Sequence, residues 1–114
     1  MQKPDIPHNE EERTRAIQNL GMIYSPSEAR FDRITRLVCR HFDIDTALVT
    51  IVYKEIQWFK SLQGLNACST DREVSFCGHA ILSDEPLIVE NALLDPRFMD
   101  NPLVVDGPRI RFYA

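Results

Sequence analysis

The chain has 114 residues, 44% of them hydrophobic and 26% charged, with a formal net charge of −4. That length suits one domain with a real core and little spare stability, and the acidic balance argues against nucleic acid as the main partner. No apolar run approaches the roughly 18–20 residues that cross a bilayer, the N-terminus lacks the apolar core of an export signal, and the 3 cysteines without framework spacing point to reduced thiols in the cytoplasm.

Residues 1–8 include Pro4 and Pro7 and show no periodicity, which predicts a flexible leader. Asn9-Glu10-Glu11-Glu12 then opens a helix, with Asn9 as cap, Glu12 reaching back, and the carboxylates at the positive end of the dipole. Ala16, Ile17 and Leu20 give it a thin apolar stripe suited to a neighbouring helix, and Gly21 ends it, so residues 9–24 form an N-terminal helix and its connection. Ser25-Pro26-Ser27-Glu28 repeats the start signal. Phe31, Ile34, Leu37, Val38 and Phe42 follow at helical spacing and predict a core helix, with Cys39 buried on it.

Ala47–Tyr53 is β-rich and apolar on both faces, as in a covered strand. Lys54-Glu55 turns the chain, and Ile56–Gln63 returns as the second strand of a hairpin. Gly64 to Glu73 is polar and irregular, and Ser75 caps a short helix running through Ser83. Pro86–Glu90 reads as a third strand beginning on proline, and Arg109–Tyr113 as a fourth. Helices first, strands after and one long excursion predict an α+β fold: an antiparallel sheet with helices on one face and a ligand pocket on the other.

Cys77 and His79 are the first candidates for chemistry, since a thiol at a helix start is activated and a Cys–His pair can ligate metal. Two positions on a helix are about 200° apart, however, which keeps both side chains from one site. The remaining histidines, His8 and His41, lie in the leader and on the core helix, short of the three or four ligands that zinc requires. Neither a metal nor a catalytic residue is therefore expected, and no cofactor. Trp58 and Phe59 alternate across the second strand, so one faces the helices and the other the pocket. Phe76, Phe98 and Phe112 supply further aromatic wall. Arg97 and Arg111 can hold a carboxylate or phosphate bidentately, or pair with Asp95, Asp100 or Asp106. Asp95-Pro96 builds a turn.

Four segments occur in one order: Gln57-Trp58-Phe59-Lys60-Ser61-Leu62-Gln63-Gly64, Val74-Ser75-Phe76-Cys77-Gly78-His79-Ala80-Ile81, Asp95-Pro96-Arg97-Phe98 and Ile110-Arg111-Phe112-Tyr113. After the apolar run at Ala47–Tyr53, they resemble a bacterial GAF domain over residues 25–114. The resemblance implies a cytoplasmic, non-catalytic sensor that binds a small molecule and signals to an attached histidine kinase or cyclic-dinucleotide enzyme. It places Trp58, Phe59, Phe76, Cys77, His79, Arg97, Phe98, Arg111 and Phe112 around the ligand. An alternative follows from GAF-fold proteins that reduce free methionine sulfoxide, in which Cys77 would attack and Cys68 resolve.

A GAF domain also continues into one more strand and a closing helix, so the resemblance implies a fold incomplete at its C-terminus. The missing strand would lie between the first and fourth. The expectation is that Ala47–Tyr53 pairs directly with Arg109–Tyr113, or that a second copy supplies the contact. The chain would then form a homodimer or higher oligomer, with the Glu10–Leu20 helix as a further contact between copies.

Overall fold

A computed structural model describes residues 1–114 and has the α+β architecture expected. Helices α1 (Glu10–Leu20) and α2 (Ala29–Phe42) precede strands β1 (Ala47–Tyr53), β2 (Ile56–Gln63) and β3 (Ser69–Asp71). The short helices α3 (Phe76–Ala80) and α4 (Pro102–Val105) follow, separated by single 3-10 turns and extended chain. The sheet is antiparallel in the order β1-β2-β3.

The hairpin has the predicted bounds, with Lys54 in a positive-φ turn. Its register holds one irregularity. Val49 pairs with Ser61 but Thr50 pairs with Phe59, so Lys60 is an extra residue bulged out of β2. The bulge lets Lys60 and Ser61 both reach the α2 side. Lys60 Nζ meets Ser25 Oγ at 2.7 Å, the Pro26 carbonyl at 2.6 Å and Glu28 at 2.7 Å. This clamp on the connection before α2 is why the helix begins at Ala29, after the proline rather than on it.

α2 is rotated relative to the expected core helix. Its one buried residue is Thr35, whereas Ile34, Leu37 and Phe42 are 51%, 65% and 65% exposed. The cause is polar. Thr35 Oγ1 lies 3.0 Å from Ser61 Oγ and accepts from Gln63 Nε2 at 3.3 Å, while Ser61 donates to Asp32 at 2.6 Å. Four side chains with hydrogen-bonding obligations fix the helix more tightly than its apolar stripe does. Cys39 is half-buried, and all three thiols are free.

α1 ends at Gly21 (φ 69°), whose N–H reaches the Ile17 carbonyl at 3.3 Å, but Asn9 makes no side-chain cap. The helix buries none of its residues. Polar contacts attach it instead: Arg13 donates to the Val52 carbonyl at 3.0 Å, Gln18 to Tyr53 Oη at 3.2 Å, and Arg72 to Glu10. The leader also makes contacts. Gln2 N–H donates to the Arg97 carbonyl at 3.0 Å, the terminal ammonium pairs with Asp100, and Pro4 lies against Gly78, leaving no room for a Cβ there.

The fully buried cluster lies outside the sheet. Phe76, Val89, Ala92, Phe98 and Val104 pack together, flanked by Leu87, Leu103, Ile110 and Tyr113. Two predicted strands are corrected here. Pro86–Glu90 and Arg109–Tyr113 form only an isolated bridge, in which Val89 and Tyr113 exchange hydrogen bonds of 2.8 and 3.0 Å. The segment 109–113 thus pairs with residue 89 and not with β1, whose outer edge has no paired strand. Direct pairing of the first and fourth strands does not occur. The α3 helix also stops at Ala80, short of Ser83, although Ser75 caps it as expected, accepting from Gly78 N–H at 3.0 Å.

Candidate functional site: the Cys77 cluster and the cavity beside α2

Cys77 stands where the sheet meets the buried cluster. In the ladder Thr50 faces Phe59 and Val52 faces Gln57, so Thr50 and Gln57 are diagonal neighbours on one face. Both turn to Cys77 Sγ: Gln57 Nε2 at 3.0 Å and Thr50 Oγ1 at 3.6 Å. Tyr113 Oη approaches from the other side at 3.2 Å. Thr70 donates to Gln57 Oε1 at 3.3 Å, which orients the amide with its NH2 toward the sulfur. Burial, and then the neighbouring Cys77, push the Tyr113 phenol far above its ordinary range, so it stays neutral and able to donate. Two donors, Gln57 and Thr50, therefore converge on one sulfur, and the Tyr113 hydroxyl shares a third hydrogen bond with it.

The aromatic residues divide between two places. Phe76 and Phe98 stack 4.0 Å apart at 7°, Tyr113 tilts against Phe76 at 5.0 Å, and His79 meets Phe98 edge-on at 4.9 Å. Rings stacked this closely leave no ligand space between them. Phe112, expected in this wall, is 63% exposed. Neighbours in extended chain point to opposite sides, and the bridge to Val89 turns Tyr113 inward instead. Phe59 is buried on the Thr50 face, while Trp58 lies on the other, edge-on to Tyr24 at 6.0 Å.

The charged candidates are engaged within the chain. Arg97 grips Asp95 with bonds of 3.0 and 2.7 Å, holding that carboxyl below its usual range, and also covers the Phe98 ring at 5.1 Å. Arg111 donates to the Val104 carbonyl at 3.0 Å and stays on the C-terminal segment. His79 Nε2 donates to the Gln2 carbonyl at 3.0 Å, and burial lowers the pKa of its ring below the usual histidine value despite that bond. No group of three or more metal-ligating side chains exists in the chain.

A cavity of about 370 Å3 opens elsewhere: beside β2, between α2, the Ser25–Ser27 connection and the Ala67–Cys68 loop. Trp58, Phe59 and Leu62 supply its apolar wall, and Asp32, Arg36 and Ser61 its polar one. The residues that sequence reasoning missed are thus Thr50, Gln57 and Tyr113 around the thiol, and Asp32, Arg36 and Ser61 at the cavity. The polar Thr50 and Gln57 inside apolar strands were the available signal.

A helix-backed antiparallel hairpin followed by a capped Phe-Cys-Gly-His turn defines an α+β domain of the GAF-like class. The family model of the GAF domain matches residues 26–114, and the chain belongs to that family. It is also 39% identical, over all of its length, to a cyclic di-GMP phosphodiesterase of Pseudomonas aeruginosa, of which it covers 19%. The chain therefore spans about a fifth of the length of that relative. No helix is long and apolar enough to cross a membrane.

Proposed function

We propose that the chain is a non-catalytic, cytoplasmic sensor domain that binds a small molecule and passes the change to an attached cyclic-dinucleotide enzyme. The observation that carries this reading is the 39% identity along the whole chain to a phosphodiesterase of which it covers 19%. GAF domains are typically regulatory, and fold alone does not confer activity. The cavity of about 370 Å3 supports small-molecule binding, since ligand sites start at roughly 300 Å3. The test joins this chain to the phosphodiesterase of the relative in place of the matching segment. Hydrolysis of cyclic di-GMP that depends on a ligand bound by this chain is expected, with none by the chain alone. Hydrolysis by the chain alone, or a fused enzyme indifferent to every ligand the chain binds, would overturn the reading.

The thiol reductase alternative is favoured by one feature, the three hydrogen-bonding partners around Cys77. A resolving thiol is not arranged for it. Cys68 lines the cavity beside α2, and none of Thr50, Gln57 or Tyr113 does. Reduction of free methionine sulfoxide with dithiothreitol, lost in Cys77→Ser, would establish this activity in place of the sensor role.

A further inference from the structure

We infer that the cavity beside α2 binds a small zwitterion, specifically a free α-amino acid, held by Arg36 at its carboxylate and by Asp32 at its ammonium. This deepens the sensor reading, on which it rests, by naming the ligand class.

Arg36 lines the cavity and forms no ion pair within the chain. Asp32 stands one helical turn earlier on the same wall, yet the two do not pair. The Ser61 hydroxyl donates to one carboxylate oxygen at 2.6 Å, which fixes Asp32 and leaves its second oxygen free. An unpaired guanidinium and a half-used carboxylate thus stand side by side, their side chains rooted about 5–6 Å apart. The other cation of the cavity is not available, because Lys60 Nζ is saturated by Ser25, Pro26 and Glu28.

Opposite charges on one wall disfavour a simple anion, which Asp32 would repel, and a simple cation, which Arg36 would repel. A molecule carrying an ammonium and a carboxylate on one carbon satisfies the pair. Guanidinium takes a carboxylate through two parallel N–H bonds, and carboxylate accepts from ammonium. Trp58, on the same face of β2 as Ser61, then meets whatever side chain the ligand has. At about 370 Å3 the space suits an amino acid better than a dinucleotide.

Trp58 is the only tryptophan, so its fluorescence reports the cavity directly. The test titrates the 114-residue chain with each proteinogenic L-amino acid, then with the N-acetyl and the amide forms of the best one. A saturable change is expected for the free form, with both blocked forms at least about tenfold weaker. Arg36→Gln and Asp32→Asn should each weaken binding by about tenfold or more. Arg36 is exposed, so its variant keeps the melting temperature of the parent, and the amide oxygen introduced by Asp32→Asn still accepts from Ser61. No saturable change up to about 10 mM, equal binding of a blocked form, or full binding by folded Arg36→Gln would overturn the proposal. The titration uses the chain alone, so its failure stands apart from failure of relay in the fused phosphodiesterase.

Discussion

Arg72 and Glu10, separated by 62 positions in the chain, are joined by two hydrogen bonds of 2.6 and 3.0 Å. The same guanidinium donates to the Lys54 carbonyl at 2.8 Å, so one buried side chain ties α1 to the hairpin turn. Arg72 also accepts, through its carbonyl, from the Ser75 hydroxyl that caps α3. The outermost helix and the Cys77 turn therefore share one anchor.

Replacing that anchor tests how α1 is held. Arg72→Met should cost about 2 kcal/mol, less than a fully buried pair because Glu10 keeps some contact with water. Since α1 buries none of its residues, the loss should fall on that helix first. Amide exchange is expected to accelerate across Glu10–Leu20 while β1 and β2 stay protected. Uniform acceleration through the sheet would show that α1 is held by something else.

Stability should decline with acid in two stages, the first belonging to His79. Its pKa in the fold lies below its unfolded value because burial disfavours the charged ring. The unfolded chain therefore binds the proton more readily, and stability present above about pH 6.5 declines as pH drops below it. His79→Gln should flatten this decline between about pH 7.5 and 5.5 in urea denaturation. The second stage belongs to Glu10 and Asp95, whose values are lowered mainly by Arg72 and Arg97. Their contribution persists above the ordinary carboxylate range and vanishes as pH falls through the lowered values.

Gly64 offers a backbone test. It ends β2 at φ 81°, and a Cβ there would run into the Asp45 carbonyl, with Thr46 Oγ1 also close. Strain and overlap add, so Gly64→Ala should destabilise the fold by about 2–4 kcal/mol. Gly107, with nothing near its missing Cβ, is the internal control, and Gly107→Ala should be close to neutral by thermal denaturation.

Tyr113→Phe isolates the contact to the thiol. The ring keeps its place against Phe76, while Cys77 loses one of three hydrogen-bonding partners. A loss of about 1 kcal/mol is expected, together with faster labelling of Cys77 by a small alkylating reagent. An unchanged labelling rate would mean that the phenol does not cover the sulfur.

The hairpin was fully legible in the sequence because β1 and β2 carry long β-branched and aromatic runs around a two-residue turn. β3 was missed because Ser69-Thr70-Asp71 has no apolar alternation and is recruited by the edge of β2. The rotation of α2 was hidden for a different reason. Its apolar stripe is real, but Thr35, Asp32, Ser61 and Gln63 bond across 26 to 29 positions, a pairing that helical periodicity does not encode. The Cys77 site was half legible. Its thiol lay in a recognisable motif, whereas its partners come from β1, β2 and the far C-terminal segment.

The bulge at Lys60 separates two jobs that neighbouring positions of β2 must combine. Phe59 and Ser61 each occupy a rung opposite β1, and Lys60 occupies none. Shortening the chain by Lys60 alone would leave Phe59 and Ser61 on the faces they now use and release only the grip on Ser25, Pro26 and Glu28. Removing either neighbour would instead force Lys60 into a rung and break the pairing. At this one position of the strand, a single-residue deletion is an untethering rather than an inversion.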